Sequence, residues 1–335
     1  MMKRYLLITA LVASTSFATS SVVALEDAPA FGKVTTKKRT ALKVAPTTPA
    51  AAPTMVDANT ELRWVMGDRK GKYVRVMVPK GPMGWVLEAD VNKVADADLG
   101  STALEAQAQP CVSPPTLNAC TTTKPTGCAA AGSPHGVVNQ LKRTVPPPGP
   151  PTTVTFETFS QLQNAALELV DQAVEIAPAD RDKIKSIPTT EGTVGEGSRV
   201  RLVAFLSDGM PHPNSGESVN CNLKTEANND IHIPVTEAKN GSEFDAIVVE
   251  MIPQDRPANW TSDNVATLRG KVLLIEGGLF YDNLHFVNSD PSNPVHNQPK
   301  RFSLWEIHPI TSVKVCRNET ADQCDPSRDS DWTAF

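Results

Sequence analysis

Asp230-Ile231-His232-Ile233 and Trp305-Glu306-Ile307-His308-Pro309 are the stretches whose reading decides the fold. Each alternates apolar residues with an acid and a histidine, the period of a β-strand with one apolar face. Strand pitch puts Asp230 beside His232, and Glu306 beside His308, on one face and about 7 Å apart. Two such strands in one sheet would gather two carboxylates and two imidazoles on one surface. Three readings are open for that surface: a metal site, a proton-transfer site, or a solvated sheet face.

Working outward, the alternation recurs at Ser198 to Phe205, Asp230 to Val235, Asp245 to Met251, Lys271 to Phe280 and Leu304 to Val315. A short helical segment, Ser262 to Leu268, falls between the third and fourth strands, with Ser262 or Asp263 able to cap it. Gly277-Gly278 predicts a bulge or sharp bend in the fourth strand. Five strands with a helix after the third is the order of an OB-fold barrel, expected over 195–316. This unit resembles uncharacterised OB-fold-like bacterial proteins through Asn229-Asp230-Ile231-His232, Asn259-Trp260-Thr261 and Leu304-Trp305-Glu306-Ile307-His308-Pro309. The resemblance implies a fold and supplies no activity.

A second β-patterned unit covers 31–95. Short runs such as Thr60-Glu61-Leu62-Arg63-Trp64-Val65 and Lys72-Tyr73-Val74-Arg75-Val76 are split by Gly and Pro, the pattern of a small barrel. It resembles a bacterial SH3-like domain through Leu42-Lys43-Val44-Ala45-Pro46, Gly71-Lys72-Tyr73-Val74-Arg75-Val76 and Gly84-Trp85-Val86-Leu87. That resemblance implies an extracytoplasmic module of the kind attached to wall enzymes and wall-binding proteins. Trp64, Tyr73 and Trp85 are either a stacking surface for sugar or peptide or the core of a small barrel. Trp260 and Trp305 are the further aromatic binding candidates.

Between the units, 96–153 reads as a Pro/Ala/Thr-rich, cysteine-containing linker with a short helix, capped by Ser133-Pro134 and running to Arg143. Pro146-Pro147-Pro148-Gly149-Pro150-Pro151 is a stiff extended spacer at its end. Over 154–190, Phe159, Leu162, Ala166, Leu169, Ala173 and Ile176 mark one face of an amphipathic helix. Residues 317–335 read as a C-terminal tail. The fold class is therefore mainly β: an SH3-like barrel and a five-stranded OB-like barrel, joined by a Pro-rich linker and a helix.

Residues 1–24 have the layout of a secretory signal peptide: Lys3 and Arg4, an apolar stretch from Tyr5 to about Ala13, then small residues ending in Val22-Val23-Ala24. The apolar core is too short and too rich in Ser and Thr to span a bilayer. Six cysteines, Cys111, Cys120, Cys128, Cys221, Cys316 and Cys324, follow it. An even count in an exported chain reads as disulfides, of which fifteen sets of pairings are possible. Short loops favour Cys316 with Cys324, and two of Cys111, Cys120 and Cys128 with each other. The formal charge of −5 argues against nucleic acid and against adhesion to anionic lipid by charge alone.

Asp230, His232, Glu306 and His308 are ligand types that suit a divalent metal, and His285 could join them. Glu250 or Glu306 could serve as base in a catalytic site. No compact His-Glu-x-x-His motif, Gly-x-Ser-x-Gly elbow, phosphate loop or dinucleotide fingerprint is present. The expectation is an exported, non-catalytic binding protein of the periplasm or cell envelope, with wall glycan or peptide or an envelope protein as partner and no obligatory cofactor. The alternative is a metal-dependent hydrolase using the acid-and-histidine face.

Overall fold

A computed structural model describes residues 31–46, 54–93, 111–295, 298–318 and 320–335. The expected signal peptide, the last two residues of the expected first unit (94–95) and the stretch 96–110 of the expected linker lie outside the described residues. The structure is mainly β, with two modules in contact.

The first module contains β1 (Phe31–Thr36), β2 (Thr40–Leu42), β3 (Thr54–Val56), β4 (Glu61–Lys70), β5 (Tyr73–Met77), β6 (Met83–Leu87) and β7 (Val91–Lys93). Five of them form an antiparallel sheet of order β6-β5-β4-β1-β7, and β2 and β3 form a separate hairpin. The hairpin leans on the sheet where Lys43 bridges to Trp85. Gly84 permits this: a Cβ there would lie 2.6 Å from Leu42 Cγ and 2.8 Å from the Lys43 carbonyl oxygen. Val34, Leu62, Val74, Val76 and Val86 make a small core beneath. Among the described residues no strand pairing closes this sheet into a barrel.

The second module follows α1 (Leu117–Thr123) and α2 (Pro134–Lys142). It comprises β8 (Thr152–Val154), α3 (Phe156–Leu169), the hairpin β9 (Ile187–Thr189) and β10 (Gly192–Val194), β11 (Arg199–Leu206), β12 (His212–Pro213), β13 (Ile231–Thr236), β14 (Ile247–Met251), α4 (Ser262–Ala266), β15 (Leu273–Tyr281), β16 (Trp305–Cys316) and β17 (Trp332–Ala334). Strands β11, β13, β14, β16 and β15 close on one another in that order, the β14–β16 pairing being parallel. This is a closed five-stranded barrel with the strand order of an OB-like fold.

Alternation decides what fills it. Val200, Leu202 and Ala204, Ile231, Ile233 and Val235, and Ile247, Val249 and Met251 point inward, joined by Leu273, Ile275, Ile307 and Val313. Each Val, Leu, Ile or Met among them contributes roughly 1.5–3 kcal/mol on leaving water. Phe159, Leu162 and Ala166 of α3 join the same core. The glycine pair does mark a bulge, with register shifts between Glu276 and Gly277 and between Gly277 and Leu279. A Cβ at Gly277 would sit 2.3 Å from the Pro309 carbonyl oxygen, so only glycine lets β15 and β16 approach there.

Four expectations need correction. The helix over 154–190 stops at Leu169: Val170 is extended, and Ala173, at φ 55°, turns the chain so that its N–H reaches the His285 carbonyl. A 3₁₀ segment (Pro178–Ile184) and the β9–β10 hairpin take up the rest. The described part of the linker is no tether, since Cys120, Val138, Asn139 and Lys142 are buried against the barrel module. The tail is not free either: β17 pairs with β16, burying Trp332 with Phe205, Val272 and Leu274. Finally, α4 is capped by Thr261 rather than Ser262 or Asp263, its hydroxyl accepting from the Asn264 N–H.

The modules meet over Val65 and Met77 on one side and Ala173, Phe286 and Val295 on the other. Arg63 donates to the Ala173 carbonyl at 3.1 Å, and Arg75 to the Asn293 carbonyl at 2.9 Å and side chain at 3.0 Å. Among the described residues no helix is long and apolar enough to cross a membrane.

Candidate functional site

Pleating sends the residues between the inward-facing ones to the outside of the barrel. On β13 that is His232, on β14 Glu250, and on β16 Glu306 and His308. Register sets His232 directly opposite Glu250, while the Val249–Ile307 pairing sets Glu250 beside Glu306 and His308. Asp230, one residue before β13, completes the set. The alternation in the sequence therefore brings all five expected residues onto one face, which is not solvated: Asp230, Glu250, Glu306 and His308 are each at most 1% exposed.

Three covers seal it. The β11–β13 connection lays Glu217 and Asn220 over Asp230, the β15–β16 connection brings Asp282 and Arg301 over Glu306, and α2 adds Lys142. The first cover is held by a disulfide between Cys120 and Cys221. Gly127 presses on it as well: its φ is 59°, and a Cβ there would lie 2.1 Å from the Ser218 carbonyl oxygen. Asn139 adds hydrogen bonds to the Thr126 carbonyl and the Ser218 hydroxyl. Two further disulfides, Cys111–Cys128 and Cys316–Cys324, use the remaining cysteines. Both expected short loops are formed, and three disulfides fit an oxidising, exported environment.

Within the sealed face the polar groups are arranged in order. His232 Nε2 lies 2.8 Å from Glu250 Oε1. Arg301 donates to Glu306 Oε1 at 2.5 Å and to Asp282 at 3.2 Å. Asn220 donates to Asp230 Oδ1 at 2.9 Å, and Gln254 holds Asn220 by its carbonyl oxygen at 2.8 Å. Glu217 accepts from the Asp230 backbone N–H at 3.0 Å. His308 sits in the middle, Nε2 3.3 Å from Asp230 Oδ2 and Nδ1 3.2 Å from Glu250 Oε2 and 3.5 Å from Glu306 Oε2. These are ion-pair contacts, and none of the atoms involved makes a well-formed hydrogen bond.

The charges shift one another. Burial disfavours the imidazolium of His308, but Glu250, Asp230 and Glu306 outweigh it and push its pKa up to about 10. Burial likewise opposes charge on His232, and Glu250 with Glu217 raises it to about 9. Burial, and then Glu306, raises the Glu250 carboxyl against the pull of both histidines. Glu306 goes the other way: despite burial, Arg301 and His308 hold it well below the carboxylate range. Such a face can hold a metal ion: Asp230, Glu250 and His308 present ligand atoms within 4.8 Å of one another, as do Glu217, His232 and Glu250. His285 does not join it. That ring pairs with Asp282 at 3.4 Å, at the edge of the cluster.

The aromatic candidates are placed differently from a stacking platform. Trp305 is fully buried in the barrel core and Trp260 packs on Phe335. Trp85 lies under the Arg75 guanidinium at 4.6 Å, Trp64 under Lys93 at 4.1 Å, and Tyr73 under Lys43 at 5.0 Å. Glu217, Asn220, Asp282, Arg301 and Lys142 are the site residues that strand reading missed. The signal available was proximity in sequence, Asn220 beside Cys221 and Arg301 five residues before Glu306. An open groove of about 300 Å³ lies elsewhere, between the modules, lined by Met83, Trp85, Asn164, Asn288, Ser289 and Phe302 among others. No protein-family model matches the chain, and no curated protein matches it either.

Proposed function

We propose that this is an exported, non-catalytic binding protein of the periplasm or cell envelope, which takes wall peptide or glycan in the groove between its modules. The observation that carries this reading is the contrast in access. The acid-and-histidine face is sealed, whereas the groove is open and mixes amides with apolar side chains. Amide donors and acceptors beside apolar walls, with Asp290 and the Asn293-bound Arg75 also on the lining, suit a polar ligand such as peptide or glycan. The leader-like residues 1–24, the SH3-like resemblance of the first module and the three disulfides support the location. The hydrolase alternative rests on Glu250 and Glu306 as bases, and both carboxylates are buried away from any substrate.

Cosedimentation with purified peptidoglycan sacculi tests the reading. Asn164 and Ser289 are exposed on the groove, so Asn164→Trp and Ser289→Trp should fill it without disturbing the core. Wild-type protein should pellet with sacculi and both variants should stay in solution with unchanged melting temperatures. Wild-type protein that fails to pellet, or blocked variants that still do, would contradict it.

A further inference from the structure

The sealed face poses a charge problem. Among the described residues, five buried carboxylates, Glu217, Asp230, Glu250, Asp282 and Glu306, contact two permanently charged side chains, Lys142 and Arg301, and the two rings of His232 and His308. Arg143 and Arg256 stand further off, committed to backbone carbonyls of Val219 and Asn229. Buried charge without compensation is costly, so the balance must come from protonated His232 and His308 or from a bound cation.

How the carboxylates are anchored says where that charge belongs. Asp230, Glu250 and Glu306 each have one oxygen fixed by a protein donor: Asn220 for Asp230, His232 for Glu250 and Arg301 for Glu306. In each, the other oxygen is buried, makes no well-formed hydrogen bond and faces His308 at ion-pair distance. Among the described residues, both ring nitrogens of His308 have ion-pair contacts and no well-formed hydrogen bond, although the residue is only 1% exposed. Metal ligands are built this way, with one atom on the ion and the rest oriented by outer-shell partners. A set of donors that only stabilised one another would instead pair them all.

We propose that Asp230, Glu250 and His308 bind one divalent cation of mixed nitrogen and oxygen preference, zinc or manganese. One imidazole nitrogen and two carboxylates suit these ions better than the all-oxygen cages of calcium or magnesium. His232, Asn220 and Arg301 with Glu306 are positioning residues that aim the ligands. Because the site is closed, the ion is structural: it ties the start of β13 to β14 and β16. The centre is independent of the groove, so either proposal can fail alone.

The test uses untagged full-length protein, secreted with its disulfides and never exposed to chelator or nickel resin. Elemental analysis should find about one equivalent of zinc or manganese. Stripping with dipicolinate should lower the melting temperature, and adding back ZnCl₂ or MnCl₂ should restore it. Asp230→Asn, nearly isosteric, should lose the metal. Asn220→Ala leaves every ligand in place yet should weaken affinity about 10–100-fold, a change that a purely structural asparagine would not produce. If Asp230→Asn fails to fold, the strip-and-reload experiment on the wild type still decides. Below about a tenth of an equivalent, with a melting temperature unmoved by dipicolinate or by either salt, the centre does not exist. Metal retained in full by folded Asp230→Asn would overturn the ligand assignment.

Discussion

The two faces of β14 and of the first half of β16 are both buried and chemically opposite. Val249 and Ile307 point inward and are fully buried; Glu306, Glu250 and His308, alternating with them, are at most 1% exposed on the outer face. An apolar side chain needs only neighbours to stay inside, because its gain scales with the area removed from water. A charged one needs a named partner for each of its atoms. The inner face is thus specified by the strands alone, while the outer face exists only because distant segments cover and neutralise it.

The comparison can be broken most forcefully by removing the cover. Cys120 and Cys221 are 101 residues apart, and closing a loop that long is worth about 4 to 5 kcal/mol in the chain-entropy account. Replacing both by Ser should lower the urea midpoint by a corresponding amount. Hydrogen exchange should then quicken first at 211–229, before the barrel strands. Uniform loss of protection across the barrel would mean that the cover is not a separate layer.

A smaller effect is expected inside the charged layer. Glu306→Gln removes one of the two carboxylates on buried Arg301. Breaking a buried pair costs about 3–5 kcal/mol, and the remaining contact to Asp282 places this variant near the lower end. Denaturant unfolding checks this, and a cost under about 1 kcal/mol would show that Arg301 is hydrated rather than sealed.

The smallest effect separates two kinds of buried histidine. His135 on α2 is pushed down to about 4, by burial and then by Lys142. Its folded pKa lies below its unfolded value of about 6.5, so the folded state favours the neutral ring. The associated stability is present above pH 6.5 and is lost as pH falls toward 4. His135→Gln should therefore flatten that part of the stability profile. In metal-free protein, His308 and His232 are raised, so their stability is present below pH 6.5 and is lost as pH rises through about 9 to 10. An unchanged acid slope in His135→Gln would place that ring in water.

Much of the barrel was legible because its signal is local. All five strands stand within two residues of the alternating runs, and Gly277-Gly278 marks the bulge. Local spacing also favoured Cys316 with Cys324. What the alternation could not show is whether the outer face meets water. That depends on Cys120 reaching Cys221, on Arg301 folding back over Glu306, and on Lys142 arriving from α2, contacts that carry no periodic signature. The apolar spacing past Leu169 misled for a related reason: Ala173 and Ile176 are buried, but by a turn against the 283–285 segment rather than by a continued helix.

The account stands on the outer face being a filled centre rather than a substrate site. Anomalous diffraction from crystals of protein never exposed to chelator, collected on both sides of the zinc and manganese absorption edges, tests this most directly. One peak among Asp230, Glu250 and His308, present above one of those edges and absent below it, is the expected result. No peak at either edge, with both nitrogens of His308 donating straight hydrogen bonds to the carboxylates around it, would contradict it.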